Sequence, residues 1–394
     1  MTSHTPRDEA EACAIIADAA TRRTPLSLMG AGTKAEIGRP AQTEATLSSA
    51  GLSGITLYEP AELVIGARAG TPLSEVARIL AERGQELPFE PIDYRPLLAS
   101  EGEPTIGAVA AANLSGPRRI MAGAARDSLI GVRFVNGRGE AVKSGGRVMK
   151  NVTGLDLVKL MAGSWGTLGF LTEVTFKVLP KSERAATLVL RGLDDPLAVE
   201  ALSAALGSPF EVAGAAHLPN ADSQGARTLI RIEGFSFSVD HRLQELRRLL
   251  KGFGAADLID GKTAEAMWQS VRDATLLAES RDRAVWRVST APTKGPAFTA
   301  HVARAVDARW FYDWGGGLVW LATGGSGDAG AAAIRAAVRS VGGHATLVRA
   351  PAEVRATVDV FEPQADAAMR VTSGIKTAFD PSGVLNPGRM YAGV

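Results

Sequence analysis

The chain has 394 residues, 43 basic and 42 acidic side chains, and a hydrophobic content of 46%. This length favours two or three domains, and the composition is typical of globular proteins. A net charge of +1 gives no indication of nucleic-acid binding, and no apolar run of 18 residues predicts a membrane span. Acidic residues near the start argue against a signal peptide, so we expect a cytoplasmic protein.

Cysteine and histidine usage limits the possible metal chemistry. Cys13 is the only cysteine, which excludes an intrachain disulfide and a cysteine-ligated iron–sulfur or zinc site within this chain. The five histidines are widely spaced and form none of the H-x-H, H-x-x-x-H or H-E-x-x-H patterns of metal sites. The sequence also has no Walker A loop and no G-x-S-x-G elbow. We therefore expect no resident metal.

The first 180 residues alternate helical and strand patterns. The spacing of apolar residues predicts an amphipathic helix over residues 7–22. Strands are predicted at Leu26–Met29, Ile55–Leu57, Leu63–Ala69, Leu129–Val135 and Leu171–Leu179, with helices opening at Thr71–Pro72 and near Leu155–Met161. Pro180, Lys181 and Ser182 then indicate a boundary.

The pattern changes beyond this boundary. Strands are predicted at Thr187–Leu190, Glu211–Ala216, Thr228–Ile232, Val285–Val288 and Leu318–Ala322, with helices over 196–206, 239–251 and 329–340. This alternation fits two copies of a β-α-β-β-α-β unit, or one larger α+β sheet covered on one face. Residues 375–390 are rich in turn residues, and such a tail is usually held against the rest of a protein.

Three segments are dense in glycine and small residues: MGAGTKAEIG (29–38), PTIGAVAAANLSGPRR (104–119) and AGSWGTLGF (162–170). Small residues let a backbone approach a flat or charged ligand closely, so the segments predict a large cofactor that carries phosphate. Residues 30–35 match G-x-G-x-x-A, but Gly38 and Pro40 would end a following helix after one turn, which disfavours a nicotinamide site. The loop can instead offer backbone N–H groups to a phosphate, with Lys34 adding charge, or form a simple turn between strands.

The order of these loops resembles the FAD-binding domain of FAD-linked oxidases of the vanillyl-alcohol-oxidase type. The resemblance covers nearly all of residues 1–180 and includes 64–91 and 149–180, and FDPSGVLNPGRM is similar to the C-terminal return to that domain. Within the family, ELPFEP, SGPRR, VMKNVTG and LMAGSWGTLG most closely resemble the FAD-binding E subunits of bacterial glycolate oxidases.

The resemblance implies an α+β fold with a two-part FAD-binding domain and an α/β cap domain. The FAD-binding domain would span residues 1–180, and the cap, for which a duplicated β-α-β-β-α-β unit is one option, would span 181–350. Residues 351–394 would form the C-terminal return. Because the first loop lacks the histidine of relatives with covalent flavin, FAD is expected to be non-covalent.

The resemblance also implies which residues bind FAD. The first loop would bind the pyrophosphate, the second would follow the diphosphate and the flavin edge, the third would approach the adenosine side, and the tail would lie near the isoalloxazine. These residues are Gly30, Ala31, Gly32, Thr33, Lys34, Pro104, Thr105, Ile106, Gly107, Asn113, Ser115, Gly116, Arg118, Arg119, Gly166, Thr167, Leu168, Gly169, Asn386 and Gly388. For Arg118 and Arg119, contact with a neighbouring subunit is an alternative to phosphate.

The chain also departs from its relatives. Leu155 stands where many have tyrosine, Trp165 stands where substrate-oxidising relatives often have an acid, and residues 181–350 lack the His-rich metal and substrate motif of related 2-hydroxy-acid dehydrogenases. These departures favour an electron-transfer subunit over a subunit that oxidises the hydroxy acid directly.

The resemblance implies oxidation of glycolate to glyoxylate by a complex. Its other members would be a paralogous substrate-binding flavin subunit and an iron–sulfur subunit, and any membrane association would occur through these partners. One alternative is a self-sufficient FAD-linked oxidase of a small alcohol, lactone or 2-hydroxy acid, with its base among Arg231, Glu233, Arg287 and His344. Another is a structural subunit whose flavin never turns over. The sequence identifies no catalytic residue.

Overall fold

The computed structural model describes residues 2–146, 155–219 and 225–394. The chain divides into two compact units. Unit 1 comprises Met1–Ser115, Gly123–Lys181 and Pro363–Val394, and unit 2 comprises Gly116–Ala122 and Ser182–Glu362. Residues 148–154, which carry the VMKNVTG motif, lie outside the described residues. In the described part of the chain, no helix has the length and apolar character needed to cross a membrane.

The strands of unit 1 form three sheets within the described residues. They are β1 (Thr2–His4), β2 (Leu26–Met29), β3 (Ala45–Ser48), β4 (Ile55–Glu59), β5 (Val64–Arg68), β6 (Gln85–Glu86), β7 (Leu129–Val135), β8 (Ala141–Gly145), β9 (Phe170–Lys177) and β10 (Leu179–Pro180). A parallel sheet has the order β1-β3-β2, an antiparallel sheet has the order β4-β5-β9-β7-β8, and β6 pairs with β10. The tail joins the parallel sheet through a bridge between Leu26 and Leu385.

The helices of unit 1 are short apart from the first and the last. They are α1 (Glu9–Arg22), α2 (Leu73–Ala81), α3 (Arg95–Leu98), α4 (Ile106–Ala112), α6 (Ala125–Ser128), α7 (Leu157–Met161) and α14 (Asp366–Phe379). Helix α1 begins after Asp8, whose carboxylate accepts the N–H of Glu11 as an N-cap. Its buried face, which includes Ala12 and Ile16, packs in one core with Leu47 and Leu385.

Unit 2 is built on one antiparallel sheet of eight strands. The strands are β11 (Arg184–Arg191), β12 (Val212–Leu218), β13 (Arg227–Gly234), β14 (Ala256–Asp260), β15 (Arg283–Ser289), β16 (Ala308–Asp313), β17 (Leu318–Gly324) and β18 (His344–Arg349). The helices are α5 (Arg119–Ala122), α8 (Asp195–Leu206), α9 (Ser236–Leu249), α10 (Gly261–Arg272), α11 (Gly295–Ala303), α12 (Ala331–Val341) and α13 (Ala352–Thr357). The strand order is β14-β11-β13-β12-β16-β17-β15-β18.

The two halves of this sheet have the same order of elements. The first runs β11-α8-β12-β13-α9-β14, and the second runs β15-α11-β16-β17-α12-β18. They meet between β12 and β16 at the register pair His217 and Tyr312. Both side chains are buried there, and the Tyr312 hydroxyl donates to Asp195 Oδ2 at 2.6 Å.

Candidate functional site

A cleft in unit 1 is lined by residues from all three glycine-rich segments and from the tail. The cleft opens to solvent, and its empty space, counted together with that open solvent, is about 720 Å³. The lining includes Gly30, Ala31, Gly32, Thr33, Lys34 and Ala35 of the first segment, Gly107, Ala108, Ala111 and Ala112 of α4, Trp165, Gly166, Gly169 and Phe170 of the third segment, and Arg389. The fold thus brings eight of the twenty residues that were expected to bind the cofactor into one cavity wall.

The turn at Gly30 passes very close to Thr105. A Cβ atom at Gly30 would lie 2.3 Å from Thr105 Oγ1, so a side chain there would require the two segments to separate. The Thr105 hydroxyl is buried and has no hydrogen-bond partner among the described residues. Leaving such a group unsatisfied is costly, so a polar group of a ligand near this turn would be stabilised.

Lys34 places a buried ammonium group in the wall of the cleft. The residue is 7% exposed, and its Nζ donates to Thr33 Oγ1 at 3.2 Å. Burial lowers the pKa of Lys34 to about 8; the Asp93 carboxylate opposes this shift, while the Arg95 and Arg389 guanidinium groups add to it. Asp93 itself forms an ion pair with Arg95 at 2.8 Å. A buried cation beside small apolar side chains favours an anionic ligand.

Arg389 is a lining residue that the sequence analysis does not identify. Its Nη2 donates to the carbonyl oxygen of Lys34 at 3.0 Å, which links positions 355 residues apart in the chain. Its guanidinium carbon lies 5.5 Å from the centre of the Trp165 ring. One feature of the sequence could have indicated it: Arg389 is the only basic side chain in the turn-rich stretch that follows Asp380.

Asn386 lies behind the cleft wall and not in its lining. Its Oδ1 accepts the N–H of Leu28 at 2.8 Å, and its Nδ2 donates to the carbonyl oxygen of Trp165 at 2.8 Å. The residue is 2% exposed. The structure therefore uses both ends of this amide to join β2, the third glycine segment and the tail. Gly388, next in the tail, donates its N–H to the Val394 carbonyl.

Two lining glycines are also required by the packing of the protein. A Cβ atom at Gly107 would lie 2.5 Å from the Cβ of Ala69, and one at Gly169 would lie 2.6 Å from Cδ2 of Phe134. Trp165, between the glycine turns, has a left-handed backbone with φ of 53°. The third segment thus holds a large ring at the cleft in a backbone conformation that few side chains adopt.

The remaining candidates of unit 1 lie outside the lining. Pro104, Ile106 and Leu168 are buried. The Thr167 carbonyl accepts from Lys376 Nζ at 2.8 Å, Asn113 Oδ1 accepts the N–H of Arg126, and Ser115 Oγ accepts the N–H of Ala125. Among the described residues these side chains and carbonyls hold the loops in place around the cleft.

Gly116, Arg118 and Arg119 belong to unit 2. The Gly116 carbonyl accepts from the indole Nε1 of Trp314 at 3.0 Å, and the guanidinium carbon of Arg119 lies 4.3 Å from the centre of that ring. Arg118 forms a buried ion pair with Glu233 at 3.0 Å. The structure therefore places Gly116 and Arg119 against Trp314, in the turn between β16 and β17, and Arg118 against Glu233 of β13.

The described cleft lining contains no histidine, cysteine, tyrosine or carboxylate side chain. Such groups would be needed for a covalent bond to a ring cofactor or for proton abstraction by a carboxylate or imidazole. In the part of the chain that the structure describes, no group of three or more histidine, cysteine, aspartate and glutamate side chains is arranged to hold a metal ion.

Residues 4–145 match the family described as FAD binding domain. The chain is 36% identical over 370 residues to glycolate oxidase subunit GlcE of Escherichia coli (strain K12), covering 94% of this chain and 93% of the relative. It is 24% identical over 427 residues to glycolate oxidase subunit GlcD of Bacillus subtilis (strain 168), and the match covers 98% of this chain and 88% of that relative.

Two solved structures show the same fold over the whole chain. p-Cresol methylhydroxylase with substrate bound has a TM-score of 0.73 at 12% identity and covers 99% of this chain and 88% of that chain. 4-Ethylphenol oxidase from Gulosibacter chungangensis has a TM-score of 0.72 at 12% identity, and the match covers 99% of this chain and 89% of that chain. The expected α+β fold, with an FAD-binding domain of this type and a cap domain, is confirmed.

Proposed function

Because the chain belongs to the family of the glycolate oxidase subunit GlcE, we propose that it is the FAD-binding, electron-transferring subunit of a complex that oxidises glycolate to glyoxylate. The chain is an FAD-dependent oxidoreductase, and its cofactor is FAD. The observation that supports the proposed role most directly is the cleft, where a buried Lys34 stands among glycine and alanine residues without a carboxylate or imidazole in the described lining.

The residues of the cleft fit FAD. The Gly30–Lys34 turn supplies backbone N–H groups, and Lys34 supplies a cation, for a pyrophosphate. The small side chains of Ala108, Ala111 and Ala112 leave room for flat rings along α4. When bound, FAD supplies the redox chemistry, and the protein supplies binding, orientation and electrostatics. The absence of histidine, cysteine and tyrosine from the described lining supports non-covalent binding.

Electron transfer is favoured over direct oxidation by the chemistry of the same lining. Removing hydride from a hydroxy acid requires a base within hydrogen-bond reach of the substrate hydroxyl. The described lining offers neither a carboxylate nor an imidazole for this role. In this proposal, the residues of this chain bind and orient FAD, and glycolate loses its proton and hydride on another subunit.

The proposed partners are a paralogous substrate-binding flavin subunit and an iron–sulfur subunit. The relative named glycolate oxidase subunit GlcD aligns with 98% of this chain, which supports a paralogous flavin subunit. With Cys13 as its single cysteine, the chain lacks the thiolates that an iron–sulfur cluster requires, so the cluster would belong to another polypeptide. We place this assembly in the cytoplasm, with membrane contact made only through the partners.

The proposal is tested by following flavin absorbance under anaerobic conditions. The FAD-loaded chain alone should keep its oxidised spectrum when glycolate is added, and reduction should appear once both partner subunits are present. A complex that contains a chain with a filled cleft, Ala111→Leu, should deliver fewer electrons to the acceptor than one with Ala77→Leu, which changes an exposed alanine of α2. Robust reduction by the chain alone would instead support a self-sufficient oxidase, and full turnover with the filled cleft would support a structural subunit.

A further inference from the structure

Two phenylalanine side chains are exposed at the turn between β13 and α9. Phe235 is 66% exposed and Phe237 is 82% exposed. In the part of the chain that the structure describes, every other phenylalanine, tyrosine and tryptophan is buried or half-buried. Single exposed apolar residues are common on protein surfaces, but two aromatic rings in one turn offer a large apolar area to a contact.

Phe235 occupies a position where an apolar residue does not stabilise the helix. It is the N-cap of α9, and its side chain accepts none of the first N–H groups of that helix. Serine, threonine, aspartate and asparagine are preferred at an N-cap because their side-chain oxygen accepts one of these N–H groups. The Glu183 carboxylate is the acceptor instead, at 3.2 Å from the backbone nitrogen of Ser236. Residues that local stability disfavours are expected at functional sites.

The second half of the sheet has no counterpart of these phenylalanines. Its corresponding connection, between β17 and α12, consists of residues 325–330 with the sequence GSGDAG. The Asp328 carboxylate accepts the N–H groups of Gly330 and Ala332 there, so a polar turn is sufficient to start the helix. The β-α-β-β-α-β unit therefore does not require the two aromatic side chains.

Carboxylate groups surround the turn that carries them. Glu183 contacts Ser236, which lies between the two phenylalanines in the chain. Arg184 Nη1 donates to Asp240 Oδ1 at 2.6 Å, and its Nη2 lies 3.6 Å from Asp260 Oδ2. These ion pairs bring the start of β11, the first turns of α9 and the end of β14 to one corner of unit 2.

Glu211 adds a fourth carboxylate next to the turn. Its Oε2 lies 3.2 Å from Nη1 of Arg242, whose Nη2 donates to the Glu233 carbonyl at 2.6 Å, two residues before Phe235. The four carboxylates are exposed, whereas the two arginines of the corner, Arg184 and Arg242, are half-buried and buried. The turn therefore presents apolar rings within a negatively charged surface.

We propose that Phe235 and Phe237 form the centre of a surface that binds another protein, whose own contact surface has an apolar pocket surrounded by basic residues. Burial of phenylalanine is favourable, and aromatic rings at the centre of an interface often contribute most of the binding energy. A second copy of this chain fits less well, because a symmetric contact would bring the same carboxylates against each other. An anionic membrane would repel them too. The inference rests on the proposed function, in which the partner is another subunit of the complex.

Isothermal titration of the FAD-loaded chain with each purified partner subunit tests this surface. Phe235→Ser and Phe237→Ser should each weaken binding of the same subunit by at least about tenfold. Val371→Ser, which removes a similarly exposed apolar side chain from α14, is the matched control and should leave the affinity unchanged. Because serine is a preferred N-cap, Phe235→Ser should keep or raise the melting temperature of the isolated chain, which separates lost binding from misfolding.

Glu183→Gln combined with Asp240→Asn tests the carboxylates. This variant should bind more weakly than the wild-type chain at low salt and equally well at about 1 M salt, where charges are screened. Equal affinity at low salt would contradict a basic partner surface.

Two further outcomes would overturn the inference. A complex whose affinity is unchanged by both phenylalanine substitutions would do so and leave the proposed function intact, whereas absence of any complex with the wild-type chain would contradict both. Self-association of the chain, or its binding to vesicles of phosphatidylcholine and phosphatidylglycerol, would also overturn it if lost in Phe235→Ser, because the surface would then have another occupant.

Discussion

Lys376 Nζ lies 2.6 Å from Asp380 Oδ2, and both side chains are buried at the end of α14. The same ammonium group donates to the carbonyl of Thr167 at 2.8 Å and to that of Leu385 at 2.7 Å, so all three of its donors are used. Asp380 in turn accepts the N–H groups of Val384 and Leu385. This ion pair fixes the tail against the third glycine segment.

Lys376→Met should therefore destabilise the protein strongly. Removing one partner leaves the Asp380 carboxylate buried and uncompensated, a change that typically costs about 3–5 kcal/mol. Urea unfolding of the FAD-free protein measures this difference. Lys143→Met, which changes an exposed lysine of β8, should alter the free energy of unfolding by no more than about 0.5 kcal/mol. Equal effects of the two substitutions would contradict the assignment.

FAD binding should depend on pH through Lys34. Burial holds the pKa of Lys34 near 8 without a ligand, and a bound phosphate favours the charged ammonium and raises that pKa. Binding therefore takes up a proton above pH 8, and affinity falls as pH rises through 8, by at most about tenfold per pH unit. Fluorescence titration of FAD across this range measures the slope.

Lys34→Met removes the titrating group and provides the control. Its affinity should be lower below pH 8 and should not change with pH above it. The lowered pKa also means that the FAD-free protein gains stability as pH rises from about 8 to 10.5, because the unfolded chain binds the additional proton there. A Lys34→Met variant that keeps the full pH dependence of binding would assign the effect to another group.

Filling the cleft from α4 should remove FAD without unfolding the protein. Ala111 lines the cleft, and leucine is well tolerated in a helix, so Ala111→Leu adds volume where the cofactor would lie. We expect at least about a tenfold loss of affinity, equivalent to about 1.4 kcal/mol. The comparison is Ala77→Leu, at an exposed position of α2. Unchanged FAD content in Ala111→Leu would show that this part of the lining does not contact the cofactor.

Acid precipitation should release all of the flavin into the supernatant. The described lining lacks the histidine, cysteine and tyrosine side chains that could bond to a flavin ring. Absorbance of the supernatant and of the redissolved pellet gives the partition. Yellow colour that stays with the precipitated protein would demonstrate a covalent link and contradict the assignment of non-covalent FAD.

Local patterns in the sequence predict most strands well. The strands at Leu26–Met29 and Leu129–Val135 have the predicted bounds, and the helix predicted over 7–22 begins at Glu9 because Asp8 caps it. In contrast, α4 lies within 104–119, a segment interpreted only as a ligand-facing loop. Its alanines favour a helix and leave space for a ligand at the same time, and composition alone does not separate these two roles.

The roles of individual site residues were harder to predict than their location. The glycine turns identify the cleft because a close approach leaves few alternatives to glycine, as at Gly30. Asn386 and Arg389 contact residues more than 350 positions earlier in the chain, and no local pattern encodes such pairs. Arg118 lies near the end of the second glycine segment, but its partner Glu233 is supplied by β13 of unit 2.

Unit 1 is assembled from three separate stretches of chain, and the last of them follows unit 2. During synthesis on the ribosome, Gly30 and Lys34 emerge long before Arg389, although the finished cleft contains all three. The N-terminal part must therefore remain without its β2–tail bridge while unit 2 is translated. FAD capture by the complete cleft is thus a late event in the biogenesis of this protein, and nascent chains that stall within unit 2 should be colourless.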